Sequence, residues 1–115
     1  MVDLLNPRKR GGRRKIPMID EQRLVSFSEE AADLLAAMGN QKRMMILCNL
    51  AKGEMQVGSL AEKVDLSQSA LSQHLAKLRT RQLVKTRREA QAVYYSINSE
   101  PVLQMLRTLS NIYCN

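Results

Sequence analysis

The chain has 115 residues, a length that suits one domain with a modest core and is too short for two. Hydrophobic residues make up 44% but aromatics only 3%, with no Trp, so the core must be built from Leu, Ile, Val, Met and Ala, a mixture that favours packed helices. Lys and Arg total 18 against 11 Asp and Glu, and the formal net charge of +7 predicts attraction to a polyanion, nucleic acid first.

Charge alone would equally suit a merely soluble basic protein, so its distribution along the chain has to decide. Arg8, Lys9, Arg10, Arg13, Arg14 and Lys15 cluster around Gly11 and Gly12, between Pro7 and Pro17, without helical periodicity. This predicts a flexible basic N-terminal arm over residues 1–22, followed by one folded unit over 23–115. Such an arm can contact phosphates, and it can equally be only solvated.

From Ser28, Ala31, Leu34, Leu35 and Met38 recur at steps of three and four. Glu29 and Glu30 sit in the first turn and Gly39 ends this first helix. Asn40 is the expected cap of a second helix through Lys42, Met45, Ile46, Cys48, Leu50 and Ala51, with a wide apolar face, stopped by Gly53. Ser59-Leu-Ala-Glu62 has the spacing of a capping box and predicts a short third helix from about Leu60 to Val64, with Asp65-Leu66 as its exit turn. Ser67 then caps a fourth helix with Ala70, Leu71, Leu75 and Leu78 inward and Gln68, Ser69, Ser72, Gln73 and Lys77 outward. Short helix, tight turn and longer helix make a helix-turn-helix.

Leu83 to Arg88 and Ala92 to Ile97 are rich in Val, Thr and Tyr and flank Glu89-Ala-Gln91, which predicts a β-hairpin. Ser99 caps a last helix with Pro101 in its first turn and Val102, Met105, Leu106, Leu109, Ile112 and Tyr113 on one face. The expected fold is therefore mainly α with a β-hairpin wing, a winged helix-turn-helix. The first and last helices have apolar surface to spare, and a second copy is its natural cover, hence a two-fold homodimer.

Between Leu66 and Arg88 stand Lys77, Arg79, Arg81, Lys85, Arg87 and Arg88, and no Asp or Glu. Gln68, Ser69, Ser72 and Gln73 can donate to and accept from base edges, and Lys77, Arg79, Arg87, Arg88 and Gln91 can reach backbone or minor groove. An ordinary wet helix face would look similar without the basic hairpin beside it. His74, the only histidine, has three readings: a hydrogen bond to phosphate or base, a packed residue at the helix–hairpin seam, or a metal ligand. With no second His or Cys nearby the last is disfavoured and no metal or other cofactor is expected. No triad, paired-carboxylate signature or glycine-rich phosphate loop is present, so the chain reads as a non-enzyme. The other class kept open is a winged-helix module that binds a protein, against which the acid-free run argues. No apolar run approaches the roughly 18 residues that cross a bilayer and no secretory signal opens the chain, so a cytoplasmic protein without a membrane partner is expected.

The run Leu66-Ser-Gln-Ser-Ala-Leu-Ser-Gln-His-Leu75, followed by Leu78 and Arg79, resembles the recognition helix of the ArsR/SmtB family of winged-helix repressors. Met38-Gly-Asn-Gln-Lys-Arg-Met-Met-Ile-Leu47 and the wing run from Thr86 to Ser96 look like further family signatures, so that the resemblance extends from about Ser28 to Asn115. The last two are most similar to the nodulation-repressor branch, which implies a dimer through first and last helices on an A/T-rich palindromic operator. Metal-sensing members carry a cysteine motif where this chain has Met55-Gln-Val-Gly-Ser-Leu60, or Asp and His on the terminal helix, where this chain has neither. In the sulfide- and redox-sensing branch one cysteine lies in the second helix and one near the end of the last, and Cys48 and Cys114 fit those places. The resemblance thus implies a thiol switch; the alternative is a ligand-independent regulator in which Cys48 fills core space and Cys114 frays.

Overall fold

The computed structural model describes residues 19–114, in two units divided after Ala31. The basic run of the expected arm lies outside the described residues. In the first unit, helix α1 (Glu21–Ser26) is capped by Asp20, whose carboxylate accepts from the Arg23 amide at 3.1 Å. This helix was not expected, because six residues are too few to display a period.

Helix α2 (Ser28–Met38) carries Glu29 and Glu30 in its first turn, and α3 (Gln41–Ala51) follows behind Asn40, whose side chain accepts from the Arg43 amide at 3.0 Å. α3 buries Ile46, Leu47 and Leu50. Cys48 is exposed, which corrects the reading of it as core filler: the apolar face is narrower than the sequence suggested.

Met55–Gln56 form a short strand, β1, that runs directly into α4 (Val57–Val64). The expected capping box does not form. Gln56 occupies the cap position without a side-chain bond, and Ser59 lies inside the helix. The physical reason is the sheet: Met55 and Gln56 pair with Tyr95 and Tyr94, so strand pairing sets where the helix begins, one turn earlier than its own residues indicate. Asp65 takes the left-handed conformation (φ 55°). With Leu66 N–H donating to the Ala61 carbonyl and Asp65 N–H to the Glu62 carbonyl, it closes α4 in a Schellman turn.

Ser67 caps α5 (Gln68–Thr80) by accepting from the Ala70 amide at 3.2 Å. A second turn of the same kind ends α5, with Gln82 at φ 60° and Leu83 N–H donating to the Leu78 carbonyl. Strands β2 (Val84–Glu89) and β3 (Ala92–Ile97) form the hairpin, with Arg87 opposite Tyr94 and Arg88 opposite Val93. The sheet has three strands in the order β1-β3-β2, so the hairpin is anchored to the start of the helix-turn-helix. Helix α6 (Glu100–Tyr113) follows Ser99, whose hydroxyl accepts from the Val102 amide, with Pro101 in the first turn.

The core of the second unit gathers Met38 from α2, Ile46, Leu47 and Leu50 from α3, Leu60 and Val64 from α4, Leu71, Leu75 and Leu78 from α5, Val84 from β2 and Val102 from α6. Beyond Val102, α6 progressively leaves it: Ile112 is 52% and Tyr113 80% exposed, and Leu35 on α2 is 53% exposed. No described helix is long and apolar enough to cross a membrane.

Candidate nucleic-acid interface

α5 divides by helical period. Leu71, Leu75 and Leu78 are buried against α3, α4 and β2, while Gln68, Ser69, Ser72, Gln73, Lys77 and Arg79 are exposed. No acidic side chain occupies its first turn, so the positive end of the helix dipole is left for an outside anion.

The wing divides by the two-residue period of a strand. Thr86, Arg88, Val93 and Tyr95 share one face and, with Gln91 at the turn, line a cleft of about 410 Å³ whose other walls are Gln68, Ser72 and Arg79 of α5 and the first turn of α4. Two arginines thus line one cleft together with the amide or hydroxyl side chains of Gln56, Gln68, Ser72, Thr86 and Gln91. Arg87 points to the opposite face. Its Nη2 and Nε donate to both oxygens of Glu54 at 2.8 and 3.0 Å, its Nη1 donates to Glu89 at 3.0 Å, and its guanidinium carbon stands 4.6 Å from the centre of the Tyr94 ring. The bond from Arg87 holds the Glu54 carboxyl below its ordinary pKa, and Arg87 itself is pushed up, chiefly by Glu54 and then by Glu89. Arg87 is therefore neutralised within the chain, whereas no ion pair to Arg79 or Arg88 occurs among the described residues.

Of the residues singled out from the sequence, the structure gathers Gln68, Ser72, Arg79, Arg88 and Gln91 at the cleft. Ser69, Gln73 and Lys77 stand on the open face of α5. His74 turns toward α3, half-buried, with Nδ1 3.4 Å from Arg43 Nη1. Gln56 and Thr86 were missed: nothing in the sequence tells that β1 pairs with β3, and only that pairing brings Gln56 to the wing. Glu54 was missed for the same reason, since 33 residues separate it from Arg87. Cys48 and Cys114 are both exposed, and no cluster of metal-ligating side chains occurs among the described residues.

A short helix, a Schellman turn, a longer helix and a basic hairpin laid beside it define a winged helix-turn-helix protein. The family described as bacterial regulatory protein, arsR family, matches residues 40–86. Nodulation protein NolR of Rhizobium meliloti is 60% identical over 86 residues, 75% of this chain and 70% of that one. Transcriptional activator HlyU of Vibrio cholerae is 48% identical over 93 residues, 81% and 86% of the two chains. Among solved structures, NolR from Sinorhizobium fredii superposes with a TM-score of 0.73 at 54% identity, covering 86% of this chain and 97% of that one. The homodimeric winged helix-turn-helix DNA-binding domain of a possible ArsR-family regulator from Mycobacterium bovis does so at 0.69 and 26% identity, over 84% and 89%. The chain belongs to the ArsR family of bacterial transcriptional regulators.

Proposed function

We propose that this chain is a homodimeric repressor that binds an A/T-rich palindromic operator and blocks transcription there. Its family is one of DNA-binding transcriptional regulators that form homodimers. The observation that carries the site is the α5–wing cleft, where Arg79 and Arg88 face Gln68 and Ser72 with no carboxylate among the described residues paired to them. A second copy covering the exposed apolar residues of α2 and α6 would set two α5 helices in successive major grooves, about 34 Å apart. Gln68, Ser69, Ser72, Gln73 and His74 then meet base edges, while Lys77, Arg79, Arg88 and Gln91 meet backbone or minor groove. Arg87 reaches phosphate only by exchanging Glu54 and Glu89 for it. The division into an arm over 1–22 and a DNA-binding and dimerisation domain over 23–115 belongs to the same proposal, as do a cytoplasmic site of action and the absence of catalysis.

Fluorescence-anisotropy titration of selected and random duplexes across a salt series tests this. Gln68→Ala and Gln73→Ala are each expected to relax base preference by ~1–3 kcal/mol while leaving affinity for random duplex almost unchanged. A protein that binds no duplex, or binds one without dependence on salt, refutes the reading and favours a protein-binding module.

The exposed thiols carry a second element of this proposal. Joining Cys48 and Cys114 as a disulfide would release two protons and two electrons to a polysulfide oxidant and bias the dimer away from its DNA-binding geometry. Polysulfide treatment is expected to weaken operator binding by wild type about tenfold, within the usual range of allosteric coupling, and to leave Cys48→Ser unaffected. Equal affinity of treated and reduced wild type makes the protein a ligand-independent regulator.

A further inference from the structure

The first turn of α3 carries two cations that both turn back into the fold. Lys42 Nζ donates to the Val64 carbonyl at the end of α4, 2.7 Å away. Arg43 is held at three points. Its Nε donates to the Ala37 carbonyl at 2.7 Å, Nη2 to the Ala36 carbonyl at 3.3 Å, and Nη1 faces His74 Nδ1 at 3.4 Å. The two carbonyl bonds fix the plane of the guanidinium, so the direction of Nη1 is set by the last turn of α2. A guanidinium has five donors and no acceptor. The contact with His74 consequently has one polarity: Nδ1 offers its lone pair and the ring proton sits on Nε2.

We propose that Arg43 is a positioning residue of the recognition helix, tying the last turn of α2 to His74 and holding that side chain as an Nε2–H hydrogen-bond donor. The assignment deepens the DNA-binding reading above and rests on it for its consequence. His74 then contributes to operator choice through a directed N–H, which a neutral imidazole offers to a base acceptor or a phosphate oxygen at one angle, and not through a charge attracted to every phosphate alike.

The surroundings agree with a neutral ring. The charged groups facing His74 are Arg43 and Lys42 from α3 and Lys77 from α5, all positive. Burial, and after it the charges of Arg43, Lys77 and Lys42, hold the imidazole pKa below the ordinary 6.5. A histidine whose pKa is lowered by folding contributes stability that is complete above the unfolded value, near 6.5, and declines as pH falls through the depressed native one. Duplex phosphates act the other way and raise the pKa, so the donor form is best defined in the free protein and at neutral pH or above.

Because His74 is the only histidine, the nitrogen-15 NMR spectrum of the untagged protein contains a single imidazole. Expected in wild type is an unprotonated Nδ1 and a protonated Nε2, with a titration midpoint below 6.5. In Arg43→Lys, which keeps the charge but cannot bond both carbonyls and His74 at once, the two tautomers should mix while burial and the retained positive charges keep the midpoint below the ordinary value. An Arg43 that served only to cap α2 would leave the tautomer unchanged, and that result, or a wild-type ring protonated at Nδ1, overturns the proposal. On a selected duplex at about pH 8, where imidazole is neutral, His74→Gln carries an amide N–H to the Nε2 position and should bind within about threefold of wild type. His74→Asn reaches only the Nδ1 position and should bind about tenfold more weakly, the loss of roughly one hydrogen bond. Equal affinities of the two variants also overturn it. Should wild type bind no duplex while its ring shows the expected tautomer, the DNA-binding reading fails and the role of Arg43 stands, so the two failures are read apart.

Discussion

Arg79→Ala combined with Arg88→Ala is expected to lower affinity for operator and random duplex alike, on the order of a thousandfold at about 0.15 M salt, and to flatten the salt dependence by three to four units. Each phosphate contact releases about 0.9 condensed counterion, and in a homodimer both substitutions are present twice. The magnitude follows from where these two arginines stand: both line the cleft between α5 and the wing, without an acidic partner among the described residues. Arg87→Ala is the informative control. Its guanidinium is already bonded to Glu54 at 2.8 Å and Glu89 at 3.0 Å, so it makes no phosphate contact whose loss would release fewer counterions, and the salt slope should hold even though its removal unmasks the two carboxylates. The exposed ion pairs lost with it are screened by solvent and contribute little to stability. Salt series on wild type, the double variant, Arg87→Ala and Arg88→Ala alone decide the matter. An Arg87→Ala slope change as large as that of Arg88→Ala would show that the wing rearranges on DNA and frees Arg87.

Leu71→Ala is expected to cost about 2–5 kcal/mol of stability, a lowering of Tm on the order of 10–20 °C for a domain of this size. Leu71 is fully buried, in the part of α5 that packs on α3, α4 and β2, so its truncation leaves a cavity that three elements would have to collapse to fill. Against a typical stability of about 5–15 kcal/mol, the loss is a large fraction. Its neighbour Ser72 is exposed and lines the cleft, and Ser72→Ala should melt within about 0.5 kcal/mol of wild type while altering DNA affinity. Thermal melts of the two variants, set beside their duplex affinities, separate the inner face of α5 from its outer one. A Leu71→Ala protein that melts with wild type would place α5 outside the core and undo the helix-turn-helix assignment.

The same helix shows how much was legible from residues alone. Leu71, Leu75 and Leu78 repeat at helical spacing behind a serine cap, and both the cap and the face came out where the pattern placed them, because period and capping are local properties. Asn40 and Ser99 behave likewise, each accepting from the amide three residues on. The reading failed where a long-range contact overrules a local signal. Ser59 and Glu62 carry the spacing of a capping box, but the pairing of β1 with β3 starts the helix at Val57 and leaves Ser59 inside it. Cys48 lies in an apolar stretch, yet the core closes over Ile46, Leu47 and Leu50 and leaves the thiol outside.

By itself the sequence determined the succession of helices and hairpin, the buried stripe of α5 and the acid-free basic run, because periodicity, caps and charge are written in neighbouring residues. Only the tertiary structure decided which of those charges are free to act. Arg87 and Arg88 are adjacent in the chain and equivalent on paper. The pleat of β2 sends one to Glu54, brought in by a strand 33 residues away, and the other into the cleft beside Arg79. His74 shares the polar side of α5 with Gln73, but the packing of α3 places Arg43 against its ring and so chooses which of its nitrogens keeps the proton. Contacts between residues distant in sequence set the partner of each polar group, and the partner, more than the residue type, fixes what that group can offer to DNA.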